Sequence, residues 1–428
     1  MRPGIFLDNI RRRTTQVARN SNNGIRPINQ GSPNMKVTRI QSAAAITLLL
    51  FSASLSAQIA FDPATDYAVG TSPAGVALAD FNGDQRPDMA VTGDAPDRVS
   101  ILLNTGNGTF GAASDLFLAG GSSPHALVAV DVDGDNDNDL VVTRKNVNDI
   151  QILVNSGGAF TLGATTAVGG LLPRAIFAAD LDGNGLKDVV TSNRDSNDVS
   201  VLLNIAGSFA AAVTYTVGIE PRGLTLADFN GDRLHDIAVA SNDDRRVDVL
   251  FNTGGGVFGA PSSLSVGPDV RPDGVTAGDL DGDGDMDIAA ASSGAVLNVA
   301  AVFLNTGAGA FAGAIGYPVG GTNPGGIVAA DFDVDGALDL ATANQDSANL
   351  SALPGLGAGV FGTAVIAGVG TTPEAVASHD LDGNGSLDLV TVNRDSNNVS
   401  VLLNQTSAAI FGNGFESGDT LAWSGVSP

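Results

Sequence analysis

The chain has 428 residues, 55 of them glycine, no cysteine and a formal charge of −25. Without cysteine there are no disulfide staples, zinc–thiolate sites or cysteine nucleophiles. The acidity argues against nucleic acid, whose phosphates need Lys and Arg, and in a folded chain it points to bound cations.

The first 57 residues carry eight of the 21 basic residues and one acid, Asp8. From Met35, MKVTRIQSAAAITLLLFSASLSA reads as a secretory signal, with Lys36 and Arg39 as its basic head and Ala43 to Phe51 as its apolar core. That core is shorter than the roughly 20 residues that cross a bilayer. Cleavage near Ala57 would leave an exported chain, secreted or held at the cell surface, with no membrane span. It would carry 13 bases against 45 acids, a charge of −32. Residues 1–57 are therefore assigned to an N-terminal extension and signal, with Met1 and Met35 both open as the start.

A nine-residue pattern follows seven times: DFNGDQRPD at 80, DVDGDNDND at 131, DLDGNGLKD at 180, DFNGDRLHD at 228, DLDGDGDMD at 279, DFDVDGALD at 331 and DLDGNGSLD at 380. Positions 1, 3, 5 and 9 carry side-chain oxygens. In chain order these are Asp80, Asn82, Asp84 and Asp88, then Asp131, Asp133, Asp135 and Asp139, then Asp180, Asp182, Asn184 and Asp188. Next come Asp228, Asn230, Asp232 and Asp236, then Asp279, Asp281, Asp283 and Asp287, then Asp331, Asp333, Asp335 and Asp339, and last Asp380, Asp382, Asn384 and Asp388. The start resembles an EF-hand loop, but no glutamate closes it at position 12 and a strand, not a helix, follows. Aspartates also end turns without any metal, but a fixed 1-3-5-9 spacing repeated seven times is not what turn-ending alone produces.

Other landmarks keep the same period. A proline stands seven residues before every loop, and six units place an Asn after the third apolar stretch: Asn104, Asn155, Asn204, Asn252, Asn305 and Asn404. The sixth unit has Pro354-Gly355 there instead. A period near 50 residues means a solenoid or a propeller. Each unit reads as four short strands, as in GVALADF, DMAVTG, RVSILLN and DLFLAG of the first, which is a propeller blade. The seventh unit stops after three strands at Asn404, while AFDPATDYAVGTSP at 60–73 is an outer-strand segment with no blade before it. Pairing residues 61–70 beside 399–404 would close a ring and remove both exposed edges. The expected fold is all-β, a closed seven-bladed β-propeller over residues 58–404 with a tail at 405–428, expected to be monomeric.

With these repeats in hand, residues 60–404 resemble FG-GAP or VCBS repeats, the blades of integrin-α-type propellers. The resemblance implies one Ca²⁺ per loop, up to seven structural ions, held by the side chains of positions 1, 3, 5 and 9. It adds the backbone carbonyl of position 7: Arg86, Asp137, Leu186, Leu234, Asp285, Ala337 and Ser386. Chemistry agrees, since Ca²⁺ takes six to eight hard oxygens. The seven loops hold 26 acids and three bases, and clustered carboxylates repel unless a cation intervenes. The apolar residue at position 2 is expected to point into the blade. Position 6 calls for a left-handed backbone, easy for Gly185, Gly284, Gly336 and Gly385 and strained for Gln85 and Arg233. Val334 stands where the other six loops have glycine at position 4. Blades 1, 4 and 6 are therefore expected to bind more weakly.

Little else suggests chemistry. The GxGxxG matches at 106–111, 254–259 and 357–362 lie between strands, where they serve as hairpin glycines, not as a dinucleotide site. His235 and His379 flank loop positions as bystanders, and no catalytic motif is present. Ten of the 13 exported basic residues fall on the face away from the loops, mixed with acids. The residue after each proline is expected to ring the channel mouth there: Ala74, His125, Arg174, Arg222, Asp273, Gly325 and Glu374. His125, Arg174 and Arg222 are candidates for an anionic sugar or carboxylate, against the alternative of ordinary solvated charge. The reading is a non-enzymatic binding or adhesion module for a protein or carbohydrate. The alternative is a polysaccharide-cleaving enzyme on the same scaffold.

Overall fold

The computed structural model describes residues 59–406. The signal segment and the tail from residue 407 lie outside the described residues. Among these residues every regular element is a strand, and they form seven four-stranded antiparallel sheets plus one two-stranded hairpin.

The first blade shows the plan. Val76–Ala79, Asp88–Asp94, Asp97–Leu102 and Ser114–Phe117 pair in sequence order as a meander. The first strand of each blade is innermost, because it packs against the first strands of the blades on either side, round to contact between blades 7 and 1. Second strands are buried along their length: Leu140, Val141 and Val142 are each fully buried. Both faces of a blade meet a neighbour, so these strands read as continuous apolar runs without in-out alternation.

The core therefore lies between blades. Phe229 and Val249 of blade 4 pack with Val275 and Ile288 of blade 5, and Met89 and Val91 of blade 1 with Val390 and Val399 of blade 7. Each such side chain stabilises the fold by about 1.5–3 kcal/mol. The last of these clusters needs a closed ring. Closure comes from Thr65–Ala68, which pairs antiparallel with Asn398–Leu402 in the register Thr65↔Val401 to Ala68↔Asn398. A bridge from Phe61 to Asn404 extends it, as the sequence led one to expect.

Candidate metal centres

The meander puts every Asp-rich loop, which joins the first and second strands, at the same end of its blade. Position 2 anchors it from below. Phe81, Val132, Leu181 and Phe229 are each 1% exposed, and Leu280, Phe332 and Leu381 no more than 3%. With that side chain locked between blades, the polar residues on either side of it are held at the surface.

The loop is then wound by its own carboxylates. In all seven blades the position-1 aspartate accepts the N–H of position 6 at 2.6–3.1 Å. Position 6 is left-handed throughout, including Gln85 at φ +66° and Arg233 at +72°. Position 4 is left-handed too, and in six blades its glycine N–H donates to the same aspartate. Val334, at φ +59°, makes no such bond, and the N–H of Asp333 turns to Asp339 instead. A β-branched residue is strained in that region.

Position 9 is the most constrained member. Asp88, Asp139, Asp188, Asp236, Asp287, Asp339 and Asp388 are all fully buried. One oxygen of each accepts the position-2 N–H at 2.7–3.1 Å. The other accepts a backbone N–H from the end of the third strand at 2.6–2.8 Å. Burial raises all seven carboxyls above their ordinary value, and neighbouring loop carboxylates push the same way against these hydrogen bonds. Asp236, Asp287 and Asp388 reach about 6 and Asp339 about 7. Asp333 also rises to about 6, through burial and then Asp335.

In five blades, oxygens of positions 1, 3 and 9 converge within 4.8 Å of one another: Asp131/Asp133/Asp139, Asp180/Asp182/Asp188, Asp279/Asp281/Asp287, Asp331/Asp333/Asp339 and Asp380/Asp382/Asp388. Blades 1 and 4 carry Asn82 and Asn230 at position 3, an amide oxygen in place of the third carboxylate. Two oxygens each about 2.3–2.6 Å from one Ca²⁺ can sit up to about 5 Å apart, so this spacing fits a hard divalent cation. The donors are all oxygen, which disfavours softer metals.

Position 5 is drawn into the turn, and its aspartates Asp135, Asp283 and Asp335 are not among these carboxylate sets. Its side-chain oxygen accepts the N–H of position 7 in every loop, binding Arg86, Asp137, Leu186, Leu234, Asp285, Ala337 and Ser386 into the turn. In blade 1, Arg86 also forms an ion pair with Asp84 at 2.6 Å, a competitor for any cation there.

The repeated asparagines do more than mark the period. Asn104, Asn155, Asn204, Asn252, Asn305 and Asn404 each supply the N–H that position 9 accepts. Each side-chain amide then donates 2.7–2.9 Å to the position-2 carbonyl of the preceding blade. One residue thus ties a metal loop to its own blade and to the loop next door. In the sixth unit Gly355 keeps the backbone bond to Asp339 but has no amide to reach Leu280. Leu280 keeps only the Gly359 N–H at 3.2 Å, a bond that in blades 1 and 4 accompanies the asparagine. The Asn spacing was visible in the sequence, but its partner is 71 to 76 residues away in five blades and 277 in the first, and appears only once the ring is built.

The opposite end carries the channel mouth. All seven residues that follow the repeat prolines line a single cavity of about 210 Å³. In blades 2 to 7 the inner strand slips register just after the proline, a bulge that lifts this residue out of the ladder. The three candidate ligands differ in their surroundings. Arg222 is committed to Asp273 and, at 3.1 Å, to Glu220. His125 is held far below its ordinary pKa by burial and by the positive charge of Arg174 and Lys145, and its Nδ1 is buried without a partner. The Arg174 guanidinium makes no hydrogen bond or ion pair among the described residues.

The FG-GAP-like repeat profile matches residues 80–142, 131–191, 180–239, 228–290 and 331–391, more than half of the chain. The chain belongs to the FG-GAP-like repeat family. All seven loops fall within the matched segments, from that of Asp80 at the start of the first to that of Asp380 near the end of the last. No curated protein matches this FG-GAP-like chain in sequence. Among solved structures it is similar to virginiamycin B lyase from Staphylococcus aureus, with a TM-score of 0.56 and 12% identity over 80% of this chain and 99% of that one. Hydrazine synthase of Kuenenia stuttgartiensis aligns with a TM-score of 0.57 and 14% identity over 80% and 98%. A protein from Lactobacillus plantarum gives 0.56 and 16% over 72% and 88%. At such identities the likeness is one of fold.

Proposed function

We propose that this FG-GAP-like propeller is an exported, calcium-stabilised binding module whose ligand is a protein or a carbohydrate. The observation that carries the calcium reading is the buried position-9 carboxylate, repeated in seven blades beside two or three further oxygens. Isolated, such a group is costly, and its raised pKa registers that cost. A cation at the converging oxygens would neutralise the cluster and hold the first strand, the second strand and the end of the third together. Positions 1, 3 and 9 would supply ligands, with water completing the shell where position 5 stays in its turn. The ions would be structural: the loops recur at one end of every blade, and the histidines beside them, His235 and His379, accompany only two of the seven.

Export is supported by the signal-like segment after Met35, and the binding role by a rigid scaffold that presents varied side chains at the end away from the loops. The test uses the calcium-loaded chain on a panel of neutral and acidic polysaccharides, with retention and chain cleavage scored together. Retention without cleavage is expected for a carbohydrate module, and for a module whose ligand is a protein, neither retention nor cleavage. Cleavage would overturn the module reading in favour of an extracellular lyase or hydrolase. Equilibrium dialysis with ⁴⁵Ca²⁺ checks the ions separately: at least five tight sites are expected, and fewer than two would refute structural calcium.

A further inference from the structure

We propose that the channel mouth binds a small organic carboxylate on Arg174; this rests on reading the propeller as a binding module and names its ligand class. Ten basic residues lie on the face away from the loops, and nine of them are spoken for. Arg245 donates to the Pro268 carbonyl. Arg98, Arg144, Lys145, Arg194, Arg246 and Arg271 hold ion pairs with nearby aspartates. Arg222 and Arg394 engage the mouth's own acids, Asp273 and Glu374. Arg174 is the exception, although it is half-buried and lines the cavity. Asp273 and Glu374, the acids of the ring, each have a hydrogen-bonded arginine, and although Glu374 also feels the charge of Arg174, that guanidinium has no bonded partner of its own.

An unpaired, partly desolvated guanidinium offers a fork of donors matched to a carboxylate. Gln345 adds a second donor to the same cavity. Its carbonyl oxygen accepts from Asn323 while its amide N–H₂ has no partner among the described residues. That amide lies over Gly325, in the space a side chain there would fill. Room for a ligand comes from Ala74, whose methyl is the smallest side chain of the ring apart from the glycine that Gln345 covers.

Below the polar rim the wall is apolar. Phe177 lies three residues further along the same strand than Arg174, is 43% exposed and lines the cavity with Ile176, Leu224 and Val376. A ligand with a charged head and an apolar face matches this layering. The cavity is below the usual range of roughly 300–1,000 Å³ for drug-sized ligands, which limits the body to about one ring. Two sources share that chemistry, a free acid and a uronic acid at a glycan end.

The test is calorimetric and NMR titration of the intact, calcium-loaded chain with D-glucuronate and with hexanoate, using D-glucose as the uncharged control. At least one acid should bind and D-glucose should not, and which acid binds identifies the source. Arg174→Ala should weaken binding about tenfold or more and Gln345→Ala less, while Arg245→Ala, outside the cavity, leaves it unchanged. Arg174 leaves no hydrogen-bonded partner to orphan, so its variant should keep the melting temperature of the parent; Arg174→Gln serves if it does not. Failure of both acids to bind better than D-glucose, or equal binding by the parent and Arg174→Ala, would overturn the proposal. If a polysaccharide or protein is retained while neither acid binds, the module reading survives and this site does not. If a polysaccharide is cleaved, the module reading falls and the Arg174 dependence still decides the site.

Discussion

The two ends of the propeller are built from the same backbone and treat their side chains in opposite ways. At the loop end, positions 1 and 9 are aspartate in all seven blades, position 2 is always a buried apolar residue, and six of seven blades carry the asparagine that reaches the blade before. At the channel mouth the bulge recurs in six blades, yet the residue it presents is His, Arg, Arg, Asp, Gly or Glu. One end repeats chemistry because the geometry of each loop demands it. The other repeats geometry and leaves chemistry free, as a recognition surface requires. The contrast assigns stability to the loops and ligand choice to the mouth, and it can be broken.

The largest effect should come from position 9. Asp287→Ala removes a buried acceptor of two backbone N–H groups, each costing about 1–3 kcal/mol when orphaned. Urea unfolding in calcium should show a loss of about 2–6 kcal/mol, whereas Arg174→Ala at the mouth should fall within about 0.5 kcal/mol of the parent. Equal effects at both ends would erase the distinction.

The raised carboxyls add a pH signature. With pKa values of about 6 to 7 at Asp236, Asp287, Asp388 and Asp339 against 3.8 in an unfolded chain, the metal-free folded state binds more protons than the unfolded one. Its stability is therefore fullest below the unfolded value and falls as pH rises through about 6 to 7. Calcium prefers the ionised form, so the stabilisation it adds should grow over the same interval. Melting curves at pH 5 and pH 8, with and without calcium, check the sign. A metal-free chain that gains stability toward pH 8 would contradict it.

Smaller again is the asparagine tie. Asn155→Ala leaves the Phe81 carbonyl unpaired and should cost about 1–3 kcal/mol in urea unfolding. Hydrogen exchange should find the junction of blades 5 and 6, which lacks the tie, among the first to open. Smallest is Val334→Gly, which relieves a left-handed β-branched residue at φ +59°. It should gain about 1 kcal/mol and tighten calcium binding in blade 6. A loss there would mean that Val334 packs in a way that outweighs its backbone strain.

Much of this was legible in the sequence because a propeller writes its plan locally. The Asp spacing, the prolines and the orphan outer strand at 61–70 gave the ring, its closure and the residues at the mouth. The left-handed positions were readable from glycine alone, down to the awkward Gln85 and Arg233. Three features were not legible, the first two because each depends on a partner distant in sequence. The asparagines contact the blade before. The retirement of Arg222 by Asp273, 51 residues on, requires neighbouring blades. The hydrogen bond by which position 5 holds the N–H of position 7 depends on loop winding that spacing does not encode.

The central claim is that the loops hold the fold together through a cation, and thermal unfolding of the chain in excess calcium and in excess chelator tests it most directly. The account predicts a cooperative melt that moves down by at least about 10 °C on chelation and returns when calcium is restored, because ligands that bind only the folded state stabilise it by mass action. An identical melt in both conditions would contradict it.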